Sequence, residues 1–117
     1  MAEEKTLYTF FVYTPDYTDP DAPNRRAAVR PKHLENAKRI RAQGVIRLGG
    51  ALISPETYQS AERKMIGSMG VYQAENIEAV QKVIEEDIYY TGNVWDKEKI
   101  IILPWVPAFP LPPVSPE

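Results

Sequence analysis

Between Thr6 and Thr14 the chain reads Thr-Leu-Tyr-Thr-Phe-Phe-Val-Tyr-Thr. β-Branched and aromatic residues occupy both alternating faces, which predicts a strand covered on two sides. Pro15 to Pro31 holds four prolines, four Asp or Asn residues and three arginines, which reads as a long polar crossover of the kind that often forms a lid. Pro31 suits the first turn of a helix and Gly44 the position just past its end, so a helix is expected from Pro31 to Gln43. Winding at about 100° per residue groups His33, Ala37 and Ile40 on one narrow stripe, flanked by Leu34, with Lys38 and Arg39 pointing away. Val45 to Ile53 predicts a second strand, in which Gly49-Gly50 permits close approach of backbone or ligand.

Ser54 to Arg63 is a polar connection, and the alternation from Lys64 to Ala74 predicts a third strand with Gly67 and Gly70 as bulge sites. Asn76 can cap a second helix, in which Ile77, Val80, Ile84 and Ile88 recur at three- and four-residue spacing from about Ile77 to Asp87. Gly92-Asn93 breaks the chain, and Lys99 to Val106, carrying Ile-Ile-Ile-Leu, predicts a last buried strand. From Pro104 onward, six of the eleven prolines fall in fourteen residues, so residues 107–117 read as an extended or disordered tail on a single domain of residues 1–106.

The order strand, helix, strand, strand, helix, strand predicts an α+β, ferredoxin-like βαββαβ fold with a four-stranded antiparallel sheet. Two helices cover one face of such a sheet, yet the first and last strands are apolar on both faces. The second face needs a partner, and a homodimer with facing sheets is the expectation.

Composition removes several classes of function. The chain has 117 residues, no cysteine and one histidine, which excludes a disulfide framework, a thiolate nucleophile and a multi-His metal cage within the chain. No metal site and no cofactor are therefore expected. The net charge is -2, although Arg25 to Arg47 is basic with Glu35 as its only acid, which suggests a small-anion contact or a solvated face. Without interleaved aromatics or a nucleic-acid motif, nucleic acid is not an expected partner. Met1-Ala2-Glu3-Glu4-Lys5 has no apolar leader character and no stretch reaches membrane-spanning length, so a cytoplasmic protein without membrane association is expected.

His33 is the one side chain whose ordinary pKa lies near neutrality, so it leads the candidates for proton transfer, against the alternative of a structural histidine. Asp87 closes the second helix, where the macrodipole disfavours a carboxylate. It is either solvated or held by a cation from elsewhere, and His33 is one candidate. Arg30 is positioned to hold an anionic substrate group or to remain a solvated charge. Ser68 is a donor into a pocket or an ordinary strand serine. Tyr89, Tyr90 and Trp95 wall a pocket or seal the core. No Walker loop, dinucleotide fingerprint or nucleophile elbow is present.

Arg30-Pro31-Lys32-His33-Leu34, Gly49-Gly50, Gly67-Ser68 and Asp87, in this order and spacing, resemble the YCII-related family over about Leu7 to Trp105. The resemblance implies a dimeric α+β barrel akin to muconolactone isomerases and small monooxygenase-like proteins, with a His/Asp acid–base pair in the pocket. Some members of that family act on chlorinated hydroxyquinones. Carried over, His33 and Asp87 are the pair, with Arg30 and Ser68 toward a small-molecule substrate; Tyr89, a pocket-wall candidate in its own right, is added as a substrate contact. One departure stands out: family members commonly place Pro after that Asp, whereas Ile88 follows here.

The expected function is cofactor-free elimination, dehydration or isomerisation of a small cyclic carbonyl, enol or hydroxyquinone. A non-catalytic dimeric binding or interaction module using the proline-rich tail is the alternative from another class. Cofactor-free oxygenation is a third.

Overall fold

Strand β1 (Tyr8–Pro15) lies at the centre of the sheet and supplies most of its register. Phe10, Val12 and Thr14 alternate inward and are buried, while Phe11 and Tyr13 point to the opposite face and stay half-exposed. The structure is a computed structural model and describes residues 5–114. The reading of the first residues as free of a leader, and of the last residues of the tail, lies outside that range.

After β1 come α1 (Ala22–Ala42), β2 (Ile46–Ile53), β3 (Met65–Ala74), α2 (Ile77–Glu86), α3 (Ile88–Thr91) and β4 (Ile101–Pro104). The strands form one antiparallel sheet in the order β2-β3-β1-β4. That is the expected ferredoxin-like α+β plan, each outer strand arriving by a helical crossover.

The first crossover differs from its sequence reading. Residues 16–21 form a short turn, and α1 begins at Ala22 with Asp21 at its N-cap and Pro23 in its first turn. Pro31 therefore lies inside the helix. The bond it cannot make frees the Ala27 carbonyl, but Ala27 and Pro31 are both exposed, so the gap opens toward water rather than into the core. Gly44, at φ +77°, ends the helix in the left-handed region.

Asn76 caps α2 by accepting a hydrogen bond from the Ala79 amide (2.8 Å), as expected, and Val80 and Ile84 bury one stripe against the sheet. Burying each of these side chains stabilises the fold by about 2 kcal/mol. The core joins Phe10, Val12, Ile40, Tyr72, Val80, Ile84, Tyr89, Val94 and Trp95.

β4 is shorter than Lys99 to Val106 and is an edge strand rather than a buried one. Ile101 and Leu103, paired with Tyr13 and Phe11, lie on the sheet face that no helix covers, and both are exposed. Residues 105–114 add no strand or helix, but Pro112, Pro113 and Val114 return to the α1–β2 edge. No described helix is long and apolar enough to cross a membrane.

Candidate active site

Asp87 occupies the break between α2 and α3 and serves both helices, as C-cap of the first and N-cap of the second. Its Oδ1 accepts a hydrogen bond from the Tyr89 amide at 2.9 Å, the usual side-chain bond of an N-cap. The carboxylate that looked misplaced at a helix C-terminus is thus also at a helix N-terminus. Ile88 stands at the first helical position of α3, where a proline is equally at home because that amide has no partner within the helix. A proline in place of Ile88 is therefore compatible with the turn seen here.

The same Oδ1 lies 2.9 Å from His33 Nδ1. His33 reaches it from the inner stripe of α1, half-buried, while Asp87 is buried. The imidazole stacks on the Tyr89 ring with centroids 3.7 Å apart and planes 8° from parallel. Trp95 meets both rings edge-on, at 6.0 Å from His33 and 5.6 Å from Tyr89. A neutral His33 that donates from Nδ1 to the carboxylate carries its proton there and keeps the Nε2 lone pair available. Nε2 has no hydrogen-bond partner among the described residues.

A second buried pair flanks the first. Arg26 Nη1 lies 2.8 Å from both Asp16 carboxylate oxygens, and Arg26 Nη2 donates to Ser68 Oγ at 3.1 Å. Both ions are almost fully buried, so deleting one partner alone would leave an uncompensated charge, at a cost of about 3–5 kcal/mol. Burial pushes the Asp16 pKa up, with Arg26 pulling against it. The Arg26 guanidinium lies 4.8 Å from the Tyr89 ring centre, so it also touches the stack that holds His33. Burial likewise raises the Tyr89 and Tyr72 phenols, which are neutral donors at physiological pH. Two buried N–H groups, Arg26 Nε and Trp95 Nε1, have no partner among the described residues.

Apart from Asp16, which lies behind Arg26, these groups line one cavity of about 550 Å³ between α1 and the β2–β3 half of the sheet. All five residues singled out from the sequence, Arg30, His33, Ser68, Asp87 and Tyr89, are on its wall. Arg30 is exposed, whereas Ser68 is buried beneath Arg26. Tyr89 and Trp95 do both things asked of them, sealing the core and walling the cavity, while Tyr90 is outside the lining. Arg26 and Asp16 were missed because they fall in the segment read as loop. The signal that finds Arg26 is helical spacing, since it precedes Arg30 by one turn and His33 by two; Asp16 carries no such signal. Among the described residues, no group of three or more His, Asp or Glu side chains is placed to hold a metal ion.

Comparison with known proteins adds the following. The YCII-related domain matches residues 9–106. Fusaric acid biosynthesis protein 2 of Gibberella fujikuroi is 32% identical over 107 residues, covering 90% of this chain and 97% of that protein. Aspartate kinase FUB3 of Fusarium oxysporum f. sp. lycopersici is 33% identical over 107 residues, again 90% of this chain but only 19% of the kinase, so the chain spans about a fifth of that relative. Among solved structures, 5-chloro-2-hydroxyhydroquinone dehydrochlorinase (TftG) from Burkholderia phenoliruptrix AC1100, in complex with 2,5-dihydroxybenzoquinone, superposes with a TM-score of 0.67. It is 22% identical and the match covers 84% of this chain and 93% of that one, which establishes a shared fold.

Proposed function

Because the chain belongs to the YCII-related domain family, and because its cavity holds a His/Asp pair, we propose that it is a cofactor-free acid–base enzyme of lyase or isomerase type. The substrate class is a small cyclic carbonyl, enol or hydroxyquinone. The observation that carries this reading is the 2.9 Å contact between His33 Nδ1 and Asp87 Oδ1 inside a cavity walled by Tyr89 and Trp95. Asp87 fixes the ring and its tautomer and stabilises the imidazolium; Nε2 takes a proton beside a carbonyl and returns it to another atom of the substrate. In an elimination, the electron pair released at carbon expels the leaving group and the proton stays on His33 until the product departs. Arg30, Ser68 and Tyr89 contact the substrate, and the aromatic walls limit water.

A solved relative by fold is named a dehydrochlorinase of 5-chloro-2-hydroxyhydroquinone, and a sequence relative is named for fusaric acid biosynthesis; both names fit an enzyme of small-molecule metabolism. The working unit in this reading is a homodimer, in which a second copy covers Phe11, Leu48, Ile101 and Leu103 on the open sheet face.

The test is a panel of cyclic enols and quinols, including 5-chloro-2-hydroxyhydroquinone, assayed by absorbance and, where chlorinated, by chloride release. Turnover by the native chain should fall about 10²- to 10⁴-fold in His33→Ala. Undiminished turnover in that variant overturns the proposal.

A further inference from the structure

The Arg26–Asp16 ion pair is buried beside the cavity and takes no part in the proton transfer at His33. Both Asp16 oxygens accept from Arg26 Nη1 at 2.8 Å, so the guanidinium is anchored from behind. Its other terminal nitrogen, Nη2, donates to Ser68 Oγ at 3.1 Å. Arg26 and Ser68 are on the cavity wall.

Chemistry fixes the direction of that last bond. A guanidinium carries donors and no acceptor, so Ser68 Oγ is the acceptor and its own proton is left for another partner. No acceptor for that proton is present among the described residues. A hydroxyl that already accepts from a cation is polarised toward giving its proton. The backbone of Ser68 is held as firmly as its side chain. Ser68 pairs with Thr14 in the β1–β3 register, and its carbonyl accepts from Thr14 Oγ1 at 3.1 Å. Gly67 beside it permits the close approach of the two strands, since a Cβ there would lie 2.9 Å from the Thr14 carbonyl oxygen. A buried donor fixed in this way, with a cation behind it, has what stabilisation of an oxyanion requires. The base is close at hand: the Tyr89 ring stacks on His33 at 3.7 Å between centroids, and the Arg26 guanidinium lies 4.8 Å from the centre of the same ring.

We propose that Ser68 Oγ donates to the substrate oxygen on which negative charge develops, and that Arg26, held by Asp16, is the positioning residue that leaves the Ser68 proton for the cavity. When His33 Nε2 takes a proton from a ring carbon, the electron pair of the broken C–H bond forms a C=C bond. The carbonyl π pair then moves onto oxygen, and the enolate oxygen accepts from Ser68. The substrate class narrows to rings whose carbonyl oxygen is conjugated with the carbon that loses the proton. The source of the charge rests on the acid–base reading; the donor site stands on the Arg26–Ser68 geometry.

The experiment is a pH titration of 4-nitrophenol, whose anion absorbs visible light and whose neutral form does not, alone and with excess full chain. The anion should bind about tenfold more tightly than the phenol, which lowers the ionisation midpoint of the bound dye by about one pH unit. In Ser68→Ala the preference should fall below about twofold. Arg26→Lys keeps a cation opposite Asp16 but loses the fork that reaches Ser68, and there the preference should fall to about threefold. If circular dichroism shows that Arg26→Lys does not fold, the double variant Asp16→Leu, Arg26→Met replaces the pair without leaving a lone buried charge, and the same fall is expected. No shift in the native chain, no bound dye at millimolar concentration, or a shift that survives Ser68→Ala overturns the oxyanion site. A shift lost in Ser68→Ala but intact in the folded Arg26 variant overturns the positioning role. Turnover in His33→Ala judges the acid–base reading separately. Full turnover there, beside a shift that depends on Ser68, retires the base and leaves the donor site; a large loss of turnover without any shift does the reverse.

Discussion

Asp87 offers a test in which folding and chemistry separate, because one oxygen does two jobs. Oδ1 caps α3 through the Tyr89 amide and holds His33 through Nδ1, each at 2.9 Å. Asp87→Ala removes both. Loss of an N-cap costs about 1 kcal/mol, and loss of a hydrogen bond to a charged group about 1.5 kcal/mol, the lower end because His33 is 18% exposed. The sum, about 2.5 kcal/mol, corresponds to a fall in Tm of roughly 10 °C for a chain of this size. Asp87→Asn keeps an oxygen acceptor for the Tyr89 amide and loses only the charge, so about 1 kcal/mol and roughly 4 °C are expected. Activity should not follow that ranking. Both variants lose the negative partner of the imidazolium, and the Asn amide can hold the ring in the wrong tautomer, so both should lose at least about 10²-fold in kcat. Thermal unfolding by circular dichroism and kcat on an identified substrate measure the two effects. Equal stability of the Asn and Ala variants refutes the capping role. Native activity in Asp87→Asn refutes the orienting role.

Two further outcomes follow from other parts of the molecule. Hydrogen bonding from Arg25 holds the Asp19 carboxyl down to about 2, so carboxyl-carbon NMR should give a midpoint well below 3.8 that returns toward 3.8 in Arg25→Gln. The paired form is then favoured above pH 3.8 and lost as pH falls through about 2; a native midpoint near 3.8 contradicts the pair. On the open sheet face, Leu103→Glu should shift the sedimentation of a dimer to that of a monomer at micromolar concentration without unfolding it, since Leu103 is 54% exposed; a native chain that already sediments as a monomer removes the homodimer from the proposed function.

Strand β1 and α2 were legible because their patterns are unambiguous, whereas the Ile-Ile-Ile-Leu run of β4 read as buried although it forms an exposed edge. Phe10, Val12 and Thr14 alternate, and Val80 and Ile84 recur at one turn. The start of α1 was not, because two prolines compete for the same signal. Pro23 and Pro31 both suit a first turn, and the apolar stripe that would choose between them is interrupted by Arg26 and Arg30. Cavity-facing positions on α1 carry cations instead of leucines, so the hydrophobic period fades where the functional surface begins. The cost of Pro31 within a helix is then tolerated because it falls on the solvent side.

Asp87 was legible as chemistry before it was legible as structure, and the reason lies in α3. A four-residue helix has no periodicity to read, so the chain from Asp87 to Gly92 presented itself as a turn. Yet α3 is what makes the carboxylate usable. It gives Asp87 the backbone geometry of an N-cap, φ -70° and ψ 141°, and it swings Tyr89 back to stack on the imidazole that Asp87 holds. The Tyr89 carbonyl then accepts from the amides of both Val94 and Trp95, which brings the indole against the same two rings. One short break between helices thus supplies the acid, a stacking ring and an edge-on wall. Residues far from it in sequence need only supply His33 and the Arg26–Asp16 pair beneath. A change that straightens α2 through Ile88 should therefore remove the pair, the stack and the Trp95 wall together.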